Sequence, residues 1–159
     1  NIIKAGARIV DQFDGDGVAF THIHPRDVGG AILSVDYMNP RDRWDWAGPE
    51  WQSHNGGDRG LAIVGVELQA EDPDRMADRW AEVLCTHAER RGDGWCIDLA
   101  ESQLCFTGLK DDRGEGLSAF DVSAHDLHGL RSAAEQRGLV GPQGEIMLCG
   151  TIVRLVERT

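Results

Sequence analysis

The sequence predicts an α+β protein built from a β-α-β-β-β unit used twice, and three observations carry that reading. Val66-Glu67-Leu68-Gln69-Ala70-Glu71-Asp72 aligns without gaps with Phe120-Asp121-Val122-Ser123-Ala124-His125-Asp126, 54 residues further on. Both stretches alternate as strands do, pass an Asp and enter a helical pattern. Strand candidates follow each helix: 95–99 and 103–107 after the first, 145–148 and 151–156 after the second. A short strand directly after each helix completes the unit. Neither unit's sheet is large enough to shield both of its own faces, so the pair is expected to share one core.

Residues 1–38 read as the tail of a third, truncated unit. A helix end closes at Gly6, and strands are expected over 7–13, 18–24 and 31–38, separated by Asp-Gly and Gly-Gly turns. The chain has no initiator Met and opens inside this helix end, so the gene product is expected to extend upstream of Asn1. Residues 39–60 hold Pro40, Pro49, Trp44, Trp46, Trp51 and the Gly56-Gly57 pair. A solvated linker seldom carries so many indoles, so the segment is expected to be a strap packed on the domains it joins, with Gly56-Gly57 as its flexible end.

Residues 61–159 then form the complete module. Its first helix starts at Pro73 behind the N-cap Asp72 and presents Met76, Trp80, Val83 and Leu84 as an apolar stripe. The second starts near Asp126, turns Leu127, Leu130 and Ala134 inward and stops at Gly138.

Composition excludes several classes of function. Sixteen Lys+Arg against 27 Asp+Glu give 159 residues a net charge of −11, which removes the electrostatic support that phosphate-backbone binding needs. No nucleic-acid partner is expected. No apolar run approaches the ~20 residues of a membrane span, and the first residues have no signal-peptide pattern, so a cytoplasmic protein without a membrane partner is expected. Cys85, Cys96, Cys105 and Cys149 never form a C-x-x-C pair, and three of them sit in apolar segments. Buried, reduced thiols are expected in preference to a disulfide framework. The remnant lacks an opening strand, and its unpaired edge predicts a homodimer through the remnant or the strap.

Paired βαβββ units, the strand Val-Glu-Leu-Gln before Asp-Pro-Asp and an amphipathic helix, and a hairpin reading His24-Pro25-Arg26-Asp27-Val28-Gly29-Gly30-Ala31 before a final strand together resemble the vicinal oxygen chelate superfamily. That superfamily includes glyoxalase I, bleomycin-resistance proteins, extradiol dioxygenases and methylmalonyl-CoA epimerase, and the His-Pro-Arg-Asp segment looks most like its epimerase and glyoxalase-like branch. The resemblance implies that the two units form a half-open, mixed-sheet barrel with metal ligands on the concave face of each unit's first and last strands. Those positions fall on Gly65 and Cys105 in the first unit, Ala119 and Arg154 in the second, and Ser34 in the remnant. Gly and Ala have no donor atom and Arg repels a cation, so no metal cofactor is expected in 61–159. The alternative is a divalent metal such as Zn, Fe, Mn or Ni held by Cys105, or by His22 and His24, which share a strand face.

Alternation turns the apolar residues under the helices and leaves Glu67, Gln69, Gln103, Cys105, Asp121 and Arg154 on the concave surface. One reading is a pocket in which Arg154 binds an anionic or carbonyl group of a small organic molecule, with Glu67 or Asp121 as acceptor or base. The other reading pairs Arg154 internally with Glu67 or Asp121 in a vestigial, water-filled groove. The resemblance adds two alternatives: a lyase, isomerase or dioxygenase whose metal site lies in a missing N-terminal half, and a degenerate structural module.

Overall fold

In the computed structural model, residues 2–54 and 60–157 are described. The chain opens with a turn closed at Gly6, whose φ of 68° is the left-handed geometry expected of a residue that ends a helix. Three antiparallel strands follow, β1 (Ile9–Gly15), β2 (Val18–Ile23) and β3 (Leu33–Met38), in the order β1-β2-β3. Asp16 and Gly17, both at positive φ, make the tight β1–β2 turn. The His24–Ala31 stretch, expected as a hairpin, instead holds a one-turn helix between β2 and β3, α1 (Pro25–Val28), with Pro25 in its first turn and His24 as its cap. Arg8 and Asp27 tie β1 to that helix, Nη2 to Oδ1 at 2.7 Å.

The strap holds a 3₁₀ turn, Asp45–Ala47, and a short helix, α2 (Trp51–His54). It is fastened differently from the expectation. Arg43 donates to the Asp16 carbonyl at 2.7 Å and to Asp45, and Trp46 meets the edge of Phe20 at 5.4 Å, while Trp44 stays 51% exposed. The glycine pair at 56–57 lies outside the described residues.

The remaining elements are β4 (Ala62–Ala70), α3 (Pro73–Leu84), β5 (Glu89–Arg91), β6 (Gly94–Asp98), β7 (Gln103–Gly108), β8 (Gly116–Ser123), α4 (Leu127–Gln136), β9 (Ile146–Leu148) and β10 (Thr151–Val156). The strands form one mixed sheet in the order β5-β6-β7-β4-β8-β10-β9. β4 runs parallel to β7 and antiparallel to β8, and β10 runs parallel to β8, so the two units meet along the β4–β8 seam. This is the paired-unit α+β fold the sequence predicts. Asp72 and Asp126 cap their helices as expected, accepting from the backbone N–H of Arg75 and Gly129 at 3.0 and 2.7 Å. The second unit is thinner than expected. After α4, Val140 makes an isolated bridge to Ile146 where the first unit has β5.

α3 is where the two sheets meet. Met76, Ala77, Trp80, Ala81 and Val83 are buried, a stripe wide enough to serve two surfaces. Leu68, Ile97, Leu104 and Phe106 of the large sheet and Ile23, Val28 and Ala7 of the N-terminal segment belong to the same apolar cluster. Polar contacts fix the junction: Arg79 donates to the carbonyls of Asp27 and Ala5 at 2.6 and 2.7 Å, and the Trp80 indole donates to the Gly29 carbonyl at 3.2 Å. Trp80→Ala should therefore destabilise the protein by roughly 3–5 kcal/mol, measured by chemical denaturation. Hydrogen exchange should show β1–β3 losing protection before β4 and β7.

Candidate functional site

Strand register arranges the face of the large sheet opposite α3 into rows. One row runs Cys96, Cys105, Glu67, Ala119, Ile152 across β6, β7, β4, β8 and β10. The next runs Asp98, Gln103, Gly65, Asp121, Arg154. Residues from both units stand side by side because the seam between units is a hydrogen-bonded ladder, not a loose interface.

Arg154 is the centre of this face. Its Nε donates to Asp121 Oδ1 at 2.5 Å, and its Nη1 reaches diagonally into the next row to Glu67 Oε2 at 2.8 Å. Among the described residues Nη2 carries no hydrogen bond, and the side chain is 41% exposed. Both acids are nearly enclosed, so the guanidinium is a lid on two carboxylates that would otherwise be buried without a counter-ion. Glu67 Oε1 also accepts from the Ser118 hydroxyl at 2.8 Å. Gly65 makes the arrangement possible: a Cβ there would collide with the Asp121 carboxylate, so the missing side chain is the space that Asp121 fills.

The electrostatics of Glu67 are a contest. Burial pushes its carboxyl up; hydrogen bonds from Arg154 and Ser118, with the Arg154 charge, outweigh burial and hold it below the ordinary value. Burial likewise works against the Arg154 charge, and Asp121 and Glu67 overcome it. A depressed carboxylate stabilises the fold above its unfolded value and loses that contribution as pH falls through the folded value.

The other sequence-predicted residues have different roles. Gln69 is buried and its amide is fully engaged with the β7–β8 connection, donating to Asp111 Oδ1 at 2.9 Å and the Gly114 carbonyl at 2.7 Å while accepting from the Lys110 N–H at 3.1 Å. It fixes the loop between units and has no amide atom to spare for a ligand. Gln103 stays on the open face, where its Oε1 accepts from Arg91 at 3.4 Å. Cys105 requires a correction: it is bridged to Cys96, and the other two cysteines, Cys85 and Cys149, are exposed. The expectation of buried reduced thiols fails because the β6–β7 hairpin turns tightly, Leu99 N–H to the Ser102 carbonyl, which sets 96 opposite 105 on one face. His22 stacks on Phe20 at 4.6 Å, and His24 Nδ1 accepts from the Arg26 N–H, so the two histidines serve separate local contacts.

Ser118 was outside the predicted set. Strict alternation from Asp121 points it to the helix face, but a register shift between Glu67 and Leu68 brings its hydroxyl to Glu67, and nothing in the sequence announces that bulge. Among the described residues no group of three His, Cys, Asp or Glu side chains is arranged to hold a metal ion.

No family model and no curated protein matches the chain. Among solved structures, a hypothetical protein from Staphylococcus aureus aligns over 99% of the chain with a TM-score of 0.59 at 9% identity, and the chain spans 59% of that structure's length. That likeness shows a shared fold. A hypothetical protein from Bacillus halodurans aligns over 62% of the chain and 95% of its own at a TM-score of 0.44 and 10% identity. Methylmalonyl-CoA epimerase from Mycobacterium tuberculosis aligns over 61% of the chain and 87% of its own, at a TM-score of 0.44 and 15% identity.

Replacing Arg154 isolates the contest at Glu67. In Arg154→Gln, burial remains and the main opposing partner is gone, so Glu67 should titrate above the ordinary carboxylate range instead of below it, read by carbon NMR of the side-chain carboxyl. Stability at neutral pH should fall by about 2 kcal/mol, less than for a fully buried pair because Arg154 is partly solvated.

Proposed function

We propose that the face opposite α3 binds a small organic molecule through Arg154 without the help of a metal. The observation that carries this reading is the guanidinium itself: pinned at Nε and Nη1, it keeps Nη2 available at a half-exposed position between two enclosed acids. A rigidly held donor over a polar floor suits an acceptor oxygen on a ligand. Two carboxylates against one guanidinium leave the cluster with surplus negative charge, in a chain of net charge −11. That balance favours a neutral carbonyl- or hydroxyl-bearing ligand over an anion.

The metal that the fold family uses does not fit these residues. Gly65 and Ala119 have no donor atom, Cys105 is spent in a disulfide, and Arg154 puts a cation where a ligand would stand. A second reading, a self-satisfied structural face, is favoured by the fact that Arg154 pairs with both acids. The two readings separate in one experiment. After exchange into metal-free buffer, elemental analysis should find no stoichiometric metal, and thermal unfolding against a panel of neutral carbonyl compounds should reveal ligands that raise the midpoint. Arg154→Ala should abolish that rise. One retained equivalent of Zn, Fe, Mn or Ni, or a panel that stabilises nothing while Arg154→Ala unfolds readily, would overturn the binding reading.

We also propose that the protein is a homodimer that pairs through β3. In the small sheet β3 is an edge strand, and Val35 and Tyr37 on it are largely exposed. Light scattering at micromolar concentration should report about twice the 17.4 kDa chain mass. A Val35→Lys variant should shift the protein to monomer, whereas a monomeric wild type defeats the proposal.

A further inference from the structure

We propose that Cys96 and Cys105 form a redox switch on the face that carries Arg154, opened by a small thiol that attacks Cys105. The two residues are directly opposed on β6 and β7, with Cα atoms 4.1 Å apart. Cys96 is buried and Cys105 half-buried on the open face, so an incoming thiol meets the Cys105 sulfur first.

The hairpin holds together without the bridge. Trp95 pairs with Phe106 and Ile97 with Leu104 along the same ladder, and Ile97 and Phe106 are fully buried on the α3 side. The Trp95 indole donates to Asp74 Oδ1 at 2.7 Å, which fixes β6 to the start of α3. Opening the disulfide is therefore a local event.

Two arrangements of the face follow from the oxidation state. Gln103 Oε1 lies 3.4 Å from Arg91 Nη1 and 3.8 Å from the Cys105 sulfur. In the disulfide that sulfur has no hydrogen to donate, so Gln103 serves Arg91. Reduced Cys105 gains an S–H that can donate to the same oxygen at its second lone pair, while Arg91 keeps its pairing with Asp98 and Glu89. Gln103 stands in the row of Gly65, Asp121 and Arg154, so the change falls on the same face, two strands from Asp121.

The chemistry is thiol–disulfide exchange. A thiolate attacks the Cys105 sulfur, a mixed disulfide forms, the bond to Cys96 breaks, and Cys96 leaves as a thiolate that takes up a proton. A second thiol attacks the external sulfur of the mixed disulfide and releases Cys105 as a thiol. The protein gains two electrons and two protons, and two small thiols become one disulfide.

The test equilibrates the folded, full chain in a series of glutathione redox ratios, quenches with a maleimide and weighs the product. Cys85 and Cys149 are exposed and are weighed as alkylated thiols or glutathione adducts at every ratio, so Cys96 and Cys105 are expected to contribute no alkylated thiol at the oxidising end and two at the reducing end, in one reversible transition with unchanged circular dichroism. In Cys96→Ser the remaining Cys105 should form a glutathione adduct readily, whereas Cys96 in Cys105→Ser should resist. The Gln103 side-chain amide resonances should shift between the two ends. Alkylation of Cys96 and Cys105 at every ratio, bridge opening only when the chain unfolds, preferential reaction at Cys96, or unmoved Gln103 resonances would each defeat the proposal. None of these readouts involves the organic ligand proposed above, so failure of one reading is distinguishable from failure of the other.

Discussion

Everything on the open face depends on β4 being hydrogen-bonded along both edges, parallel to β7 of its own unit and antiparallel to β8 of the next. A central strand of this kind cannot slip by one residue without turning its whole set of side chains to the other face. Leu68, nearly inaccessible beneath α3, penalises such a slip, so Glu67 is locked to the opposite side with Gly65 two residues before it. The rows that bring Asp121 and Arg154 beside them are consequences of that lock. Apolar burial on one face thereby sets polar geometry on the other.

The same economy governs α3. A helix that covered only its own sheet would need a single apolar stripe, yet here Met76 and Trp80 join a cluster that includes Ile23 and Val28 of the N-terminal segment. Arg79 sits at the rim of this double contact and satisfies two carbonyls outside the strand ladders, that of Ala5 in the opening turn and that of Asp27 in the one-turn helix α1. Buried carbonyls outside the ladders need such donors, and an arginine fork supplies more than one from a single side chain. The small sheet is held by α3 as much as by its own pairing.

How much of this was legible in the sequence follows from the range of the signals. Caps and periodicities are local, so Asp72, Asp126, the stripe of α3 and the strands around 66 and 120 could be read directly. Glu67, Asp121 and Arg154 could be placed on one face because alternation fixes faces; pairing of Arg154 with one or the other acid was one of the two readings it allowed, and simultaneous pairing with both was not legible. The disulfide was not legible: it depends on how tightly the chain turns between 99 and 102, and a one-residue change in that loop would offset the two cysteines. The engagement of Gln69 with a loop and the entry of Ser118, outside the predicted set, into the network are equally non-local. The 109–115 loop folds over Gln69, and a bulge beside Glu67 rotates Ser118 into the network. The sharing of α3 by the N-terminal strands needed a tertiary contact across about fifty residues, for which periodicity holds no information.

Several polar groups at the middle of the face pair with one another, while among the described residues the buried Thr107 and Ser123 hydroxyls carry no hydrogen bond, and this shapes what the face can do. Glu67 is paired with Arg154 and accepts from Ser118, Gln103 accepts from Arg91, and the Cys105 sulfur is bonded to Cys96. A ligand entering such a face gains only the difference between its own hydrogen bonds and those it displaces. Displacing Arg154 from Glu67 would strand a carboxylate that burial already disfavours, so a competing anion pays twice, in repulsion and in lost pairing. A neutral ligand that takes only the outward Nη2 displaces nothing but water and leaves both ion pairs intact. The internal pairing of Arg154 is therefore compatible with the proposed binding, and it would restrict a ligand to approaching the guanidinium at Nη2.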